Sequence, residues 1–125
     1  MSFKAEISID NQVFPVRSFY MSLVRETNVK GKPNSKPAWT IDVTIDAVDD
    51  TTITQWMIDP QKQVDGVLTL YKVDAEAKLK EIEFRKSFCY TMIDRFIPDL
   101  SVATCSMRIA GEEIQIGTTV LILEK

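Results

Sequence analysis

The chain has 125 residues, 45% of them hydrophobic and 26% charged, with a formal net charge of −3. This length and composition suit one globular domain, and the negative charge disfavours nucleic acids and anionic membrane surfaces as partners. No apolar stretch approaches the roughly 20 residues of a membrane-spanning helix, so membrane insertion is not expected either.

The N-terminal segment has the pattern of a β-hairpin. Residues 3–9 alternate between apolar and polar side chains, as in a strand with one buried face. Residues 10–12, Asp-Asn-Gln, are typical of a tight turn, because short Asx side chains tolerate left-handed backbone. The returning strand is predicted over residues 13–26. Pro15 near its start indicates a strand end or a sheet edge, since proline donates no ladder hydrogen bond.

A long polar connection follows, which we call the extended loop (residues 25–38). It contains two prolines, a glycine, two asparagines and the three lysines Lys30, Lys32 and Lys36. Hairpin connections usually have roughly 2–5 residues, and longer loops without their own secondary structure are commonly functional or disordered. Fully extended, this loop could span ~45 Å and reach a neighbouring copy of the protein. The lysines could bind a phosphate or an acidic partner, although a solvated loop is the simpler interpretation.

The third strand is predicted over residues 39–47 from strict alternation. The apolar side chains of one face are Trp39, Ile41, Val43, Ile45 and Ala47. The polar side chains of the other face are Thr40, Asp42, Thr44 and Asp46.

One short helix is predicted at about residues 50–58. Ile53, Trp56 and Met57 fall on one helical face, and residues 49–51, Asp-Asp-Thr, provide N-terminal capping chemistry. Pro60 ends the helix. A helix this short needs tertiary packing, which we assign to Trp56.

The remaining chain predicts four more strands. They cover residues 65–73, 82–92, 100–109 and 114–123, with a connection at 74–80 and a turn at 110–113. In the second of these strands one face is predicted to carry Ile82, Phe84, Phe88, Tyr90 and Met92, with Lys86 interrupting the apolar row. About seven strands with regular turn signals predict a mainly β protein, an antiparallel barrel or sandwich, as one domain over residues 1–125.

Few residues suggest catalysis. The chain has no histidine, which removes the usual general base and the commonest metal ligand. Cys89 and Cys105 lie in strand-like segments without metal-ligand spacing, so buried free thiols are predicted. Neither an enzymatic activity nor a cofactor is predicted.

Two constellations still have alternative interpretations. Four carboxylates, of Asp42, Asp46, Asp49 and Asp50, could gather a hard cation, but no calcium-loop pattern surrounds them. Strand-surface and helix-capping roles are therefore favoured. Trp39 and Trp56 could stack on a ligand, but core packing is favoured because both are predicted to face inward.

The order of several segments resembles a known family. The segments are "MSFKAEISIDNQ", "RETNVKGKPNS", "DDTTITQWM" and "DGVLTLYKVDAEAKLKEI". In this order and spacing they resemble the Hcp (TssD) family, the tube-forming proteins of type VI secretion, and in particular its subtype iii branch. The resemblance covers nearly the whole chain and is weakest after about Tyr90. None of these segments is a catalytic motif.

The resemblance implies an antiparallel β-barrel of two packed sheets, as in phage tail tubes, with one short flanking helix and a long extended loop. It implies homohexameric rings that stack into a hollow inner tube. The implied partners are a contractile sheath, a VgrG-type spike and effector proteins carried in the lumen. The chain shows no secretory signal pattern, so synthesis in the cytoplasm and export by the apparatus itself are expected.

The resemblance also implies two candidate contact sites. The extended loop would contact the neighbouring ring or subunit through Arg25, Glu26, Thr27, Asn28, Val29, Lys30, Gly31, Lys32, Pro33, Asn34 and Ser35. The polar face with Thr40, Asp42, Thr44 and Asp46 would line the lumen or contact another subunit. Two alternatives remain open: a tube subunit of another contractile injection particle or phage tail, and a monomeric β-sandwich binding module.

Overall fold

The computed structural model describes residues 3–25, 38–47, 51–72, 77–117 and 119–122. These residues form seven strands, one α-helix and one turn of 3-10 helix. In chain order they are β1 (Phe3–Ile9), β2 (Gln12–Val24), β3 (Ala38–Asp46), α1 (Thr52–Ile58), β4 (Val64–Lys72), β5 (Ala77–Ile97), the 3-10 turn (Pro98–Leu100), β6 (Val102–Ile116) and β7 (Thr119–Ile122).

All strand pairings are antiparallel, in the order β3-β2-β1-β4-β5-β6-β7. An additional pairing of β3 with β6 closes the sheet into a barrel. The family-level prediction of a β-barrel with one short helix is confirmed.

The barrel consists of two packed sheets, and the long strands β2, β5 and β6 take part in both of them. The first sheet contains β2 from Val16 onward, β3, β6 up to Ile109 and β5 beyond Ser87. The second sheet contains β1, β4 and β7 with the remaining parts of β2, β5 and β6. Four strands therefore form the first sheet and six form the second.

The β1–β2 hairpin closes as predicted. Asp10 and Asn11 have φ angles of 53° and 67°. Positive φ at both central residues is the geometry of the tight two-residue turn that matches strand twist. Pro15 lies where β2 pairs only with β1, just before the ladder to β3 begins at Val16.

The core lies between the two sheets, and the predicted inward row of β3 is part of it. Trp39, Ile41, Val43 and Ile45 are all buried. Trp56 of α1 is buried as well, and its indole N–H donates to the Ser87 carbonyl oxygen at 3.0 Å. Both tryptophans are therefore core residues, as favoured from the sequence.

Both cysteines are free thiols buried in this core, as predicted. Burial raises the pKa of the Cys89 thiol to about 11. Burial, reinforced by Asp94, raises the pKa of the Cys105 thiol to about 12. Both thiols are therefore protonated at neutral pH.

Helix α1 begins at Thr52 rather than at residue 50, with Thr51 as its N-cap. The Thr51 side chain does not cap the helix, and its hydroxyl accepts a hydrogen bond from Gln55 Nε2 at 3.0 Å instead. Asp49 and Asp50, which were predicted to assist the cap, lie outside the described residues. Among the residues described, no helix is long and apolar enough to span a membrane.

The predicted inward row of β5 is wrong at Phe88 and Tyr90, whereas Met92 packs against the core as predicted, because a second register shift lies between Cys89 and Thr91. Lys86 has a φ angle of 52°, and the pairing with β4 shifts at this point, so an extra residue bulges out of the strand. The bulge reverses the alternation, and Ser87 and Cys89 are buried whereas Tyr90 is exposed. Asp65 stabilises the bulge, because its carboxylate accepts a hydrogen bond from the Lys86 backbone N–H at 3.0 Å.

Two predicted segment boundaries are also wrong. Residues 77–80, assigned to a connection, begin strand β5. Residues 110–113, assigned to a turn, continue strand β6 to Ile116. A Cβ at Gly111 would lie only 2.7 Å from the Lys86 carbonyl oxygen, so this glycine permits close strand packing at the bulge and does not mark a turn. The turn before β7 contains Gly117 instead, at a φ angle of 60°.

Candidate functional site: two outer faces and two open edges

The outer surface of the first sheet, which we call the hydroxyl face, consists mainly of small polar side chains. It includes the predicted row of β3, where Thr40, Asp42 and Thr44 are half-buried and Asp46 is exposed. The neighbouring strands contribute Ser18, Tyr20 and Ser22 from β2, Thr104, Ser106 and Arg108 from β6, and Thr91, Ile93 and Arg95 from β5.

Hydrogen bonds between side chains cross neighbouring strands on the hydroxyl face. The hydroxyl groups of Ser22 and Thr40 lie 2.8 Å apart, and those of Thr44 and Ser106 lie 2.9 Å apart. These hydroxyls therefore have partners on the neighbouring strands.

The carboxylates of this face are paired with arginines. Arg108 Nε donates to Asp42 Oδ1 at 2.9 Å, and this hydrogen bond together with the carboxylate charge raises the pKa of Arg108. Asp46 Oδ1 accepts from Arg17 Nη1 at 2.8 Å. Among the described residues no group of His, Cys, Asp or Glu side chains is arranged to hold a metal ion. The acidic cluster therefore consists here of ion-paired strand residues, with Asp49 and Asp50 outside the described residues.

The second sheet has a different outer surface, which we call the charged face. At its centre Arg85 contacts Glu83 and lies 3.3 Å from the Glu113 carboxylate. Lys78 lies 2.9 Å from Glu81, and this partner lowers the pKa of the Glu81 carboxyl. The charged face therefore carries a network of opposite charges, whereas the hydroxyl face carries hydroxyl groups and separate ion pairs.

The first sheet has two open edges within the described part of the chain. Along residues 17–24 strand β2 pairs with β3 on one side, and along residues 88–97 strand β5 pairs with β6 on one side. Both edges carry large exposed apolar side chains, including Tyr20 (58% exposed) on β2 and Ile93 (62%) on β5. A long apolar strand edge is prone to pair with another chain unless it is protected.

The structure describes some of the predicted site residues and not others. Thr40, Asp42, Thr44 and Asp46 come together on the hydroxyl face as predicted. Arg25 is exposed directly after β2, at the edge of the first sheet. The other predicted loop residues, 26–35, lie outside the described residues.

The open edges were missed by the sequence reasoning. Tyr20 and Ile93 interrupt otherwise polar rows, which is a signal in hindsight. An apolar residue in a polar row gains significance only when the pairing partners of its strand are known. Edge position is a property of the sheet, and it cannot be deduced from one strand's alternation.

Comparison with known proteins identifies the family and the fold. Residues 1–122 match the family described as hemolysin coregulated protein Hcp (TssD). No curated protein matches the chain by sequence.

Solved structures show the same fold at low sequence identity. Hcp1 from Flavobacterium johnsoniae is 20% identical with a TM-score of 0.83, and the alignment covers 95% of this chain and 98% of that one. Hcp1 from Salmonella typhimurium is 9% identical with a TM-score of 0.72, covering 93% and 86%. A chain from the sheath–tube complex of the PVC extracellular contractile injection system, in the extended state, is 11% identical with a TM-score of 0.65, covering 93% and 89%.

The family match spans almost the whole chain, and the fold agrees with it. Members of this family are structural tube proteins and not enzymes. The chain therefore belongs to the Hcp (TssD) family and is a structural tube subunit.

Proposed function

We propose that this chain forms hexameric rings that stack into the inner tube of a type VI secretion apparatus, with the hydroxyl face lining the lumen. A contractile sheath would surround the tube, a VgrG-type spike would cap it, and effector proteins would travel in the lumen. Sheath contraction would then carry the protein from the cytoplasm to the medium or a target cell.

The open edges of the first sheet are the observation that supports ring formation. Strands β2, β3, β6 and β5 alternate in direction across this sheet. The β5 edge of one copy therefore runs opposite to the β2 edge of another copy, and the two can continue an antiparallel ladder. Such a head-to-tail contact closes into a ring when the rotation between copies fits.

Six copies would join their four-stranded sheets into a continuous barrel of about 24 strands. At a spacing of about 4.8 Å per strand this barrel would be about 37 Å across before strand tilt. This backbone diameter is of the same order as that of a small folded protein, about 30 Å.

Sheet width indicates which face points inward. The inner layer of a ring has a shorter circumference than its outer layer. The first sheet has four strands and the second sheet has six, so the narrower first sheet fits the inner layer. Thr40, Asp42, Thr44 and Asp46 would then line the lumen, and the charged face would point toward the sheath.

Edge substitutions test the ring directly. We expect Tyr20→Lys combined with Ile93→Lys to convert rings into folded monomers, because lysine on both strand edges opposes pairing. The matched control is Val67→Lys, which adds a charge to the outer surface of the second sheet. Light scattering would give the mass, circular dichroism the fold, and negative-stain microscopy the rings. A wild-type chain that stays monomeric at high concentration would contradict the proposal and favour a monomeric binding module.

The likeness to a chain of the PVC particle supports a second candidate, a tube subunit of another contractile particle. Secretion in the source bacterium separates the two. A type VI tube protein should disappear from the medium when the membrane-anchoring complex is deleted. Release that continues without any such complex would support an extracellular particle instead.

A further inference from the structure

We propose that the hydroxyl face selects acidic polypeptide segments, and that Arg95 and Arg108 are the side chains that bind their carboxylates. This inference rests on the proposed function, in which the hydroxyl face lines the lumen. It deepens that function by naming the chemistry of the cargo, a protein segment rich in aspartate and glutamate.

The charge of the hydroxyl face is opposite in sign to that of the chain as a whole. Among the described residues this face carries three arginines and two aspartates, a net charge of +1 per copy, whereas the whole chain carries −3. The five residues are Arg17, Asp42, Asp46, Arg95 and Arg108. The excess of negative charge therefore lies elsewhere on the chain, and the surface assigned to the lumen is the positive one.

Arg95 is the unpaired cation of this face. It is exposed on β5, opposite Thr104 of β6. Within the described part of the chain it makes no ion pair, in contrast to Arg17 and Arg108. A guanidinium group without an internal partner can bind a carboxylate of another chain through two parallel N–H···O bonds.

Arg108 is paired, but its pairing leaves the cation more accessible than the anion. Its Nε donates to Asp42 Oδ1 at 2.9 Å, so the two terminal nitrogens can still donate to a second carboxylate. Asp42 Oδ2 is buried and has no hydrogen-bond partner among the described residues. The Arg108 side chain is 48% exposed and that of Asp42 only 23%. An approaching segment therefore meets the guanidinium, and Asp42 is its positioning residue.

An open depression of about 430 Å³ surrounds Arg108 and supplies further hydrogen-bonding groups. Five hydroxyl-bearing residues line it: Ser18, Tyr20, Thr44, Thr91 and Ser106. A hydroxyl group both donates and accepts, so these residues can bond to the main chain of a bound segment whatever its sequence. The arginines would then supply the preference for acidic side chains.

Six copies would arrange the two arginines as two belts around the lumen. Arg108 pairs with Asp42 across the closing ladder, and Arg95 pairs with Thr104, which in turn pairs with Asp46. The four residue steps from Asp42 to Asp46 separate the belts by about 13 Å along β3. Walls of low dielectric focus the field of such like charges, and several contacts to one flexible segment reinforce one another.

Asp46 disfavours a nucleic acid as the ligand. Its side chain is 70% exposed beside Arg17, so carboxylates alternate with cations on this surface. A nucleic acid carries a charge at every nucleotide and would meet these carboxylates. A polypeptide can place acidic side chains opposite the arginines and neutral ones opposite Asp46, so an acidic polypeptide is the better match.

Fluorescence anisotropy with two labelled peptides tests the selection. The probes are a short peptide of alternating glutamate and glycine and its lysine–glycine counterpart, both carrying an uncharged dye. Wild-type rings, identified by light scattering, should bind the acidic peptide at least about tenfold more tightly than the basic one. The preference should vanish at about 1 M salt, where the screening length is only about 3 Å.

Charge variants identify the side chains responsible. Arg95→Gln combined with Arg108→Gln should form rings of normal mass that bind the acidic peptide at least about tenfold less tightly. The matched control is Lys4→Gln with Lys78→Gln, which removes the same charge from the charged face and should bind like the wild type. Arg95→Gln alone leaves every described ion pair intact and should weaken binding about threefold. Asp46→Asn should instead tighten binding, because it removes an exposed carboxylate.

Two results would overturn the selection while leaving the ring proposal standing. The first is intact rings that bind both peptides equally, or arginine variants that bind like the lysine control. The second is tighter binding of an oligothymidylate of equal charge, which would assign the arginines to a nucleic acid. Absence of rings in the wild type would instead overturn the proposed function and this inference with it.

Discussion

The hydroxyl face and the charged face are built from the same long strands yet differ in chemistry. On the hydroxyl face, Thr44 and Ser106 bond to each other and Asp42 is paired with Arg108. On the charged face, Arg85 lies among the carboxylates of Glu83 and Glu113. Strands β2, β5 and β6 each pass from one sheet to the other, so the change of chemistry occurs within single strands. The difference shows that location in the barrel, more than the identity of a strand, determines what a face presents.

We expect the largest loss of stability from substitutions at the place where β5 passes from one sheet to the other. Trp56 fills the core there, and its N–H satisfies the Ser87 carbonyl oxygen. We expect Trp56→Ala to lower the free energy of unfolding by about 3–5 kcal/mol, measured by urea denaturation. Trp56→Phe, which keeps most of the ring but removes the donor, should lose about 1–3 kcal/mol. A Trp56→Phe variant as stable as the wild type would show that the hydrogen bond contributes nothing.

Strand β6 passes between the sheets at the same place, and at Gly111 it packs closely against β5. A Cβ at Gly111 would lie 2.7 Å from both the Lys86 carbonyl oxygen and the Ser87 Cα. We expect Gly111→Ala to lower the free energy of unfolding by about 1–3 kcal/mol, because backbone must move on both strands. Thr104→Ala, on the outer surface of the same strand, should cost less than about 1 kcal/mol. A neutral Gly111→Ala would contradict close packing at the bulge.

Matched arginine deletions compare the two faces directly. Arg85→Ala leaves Glu83 and Glu113 facing each other without their shared cation, and we expect a loss of about 1 kcal/mol. Arg108→Ala removes a single ion pair to Asp42 on a solvent-exposed arginine, and a smaller loss is expected. Raising the salt concentration should shrink both differences, since both side chains are partly exposed. A larger loss from Arg108→Ala than from Arg85→Ala would show that the ion pair of the hydroxyl face contributes more to stability than those of the charged face.

The smallest effect concerns the thiols beneath the hydroxyl face. Burial raises the pKa of Cys89 to about 11 and that of Cys105 to about 12, above the ordinary value of 9.0. A raised pKa stabilises the fold below pH 9, and this contribution is lost as the pH rises through 11 and 12. We therefore expect stability to fall above pH 9, and less so in Cys89→Ala/Cys105→Ala. Thiol reagents should react with the native chain at pH 8 only after urea is added, and rapid native reaction would contradict burial.

Local pattern predicted much of the fold because one buried face imposes a period of two on a strand. The alternation in β3 predicted both its buried row and the polar row of the candidate site. Asp10 and Asn11 predicted the first turn from their own backbone preferences. These features depend on neighbouring residues along the chain, so a single sequence contains the information.

The β5 bulge could not be predicted in the same way. Alternation alone favoured Phe88 and Tyr90 as inward residues, but the bulge at Lys86 turned Ser87 and Cys89 inward. Asp65, on a different strand, accepts the hydrogen bond that stabilises this conformation. A pattern within β5 does not contain that partner.

The sequence by itself determined the alternating strands, the first turn, the short helix and the family to which the chain belongs. Tertiary structure decided where β5 changes face, why Gly111 continues a strand, and which strand edges stay open. The physical reason is that burial periodicity and turn preference act over a few residues. Strand pairing and edge exposure instead depend on residues far apart in the chain, such as Val43 and Met107 across the closing ladder. The alternation in β3 therefore predicted its polar row. Only the barrel showed that β2, β6 and β5 extend this row into a continuous surface.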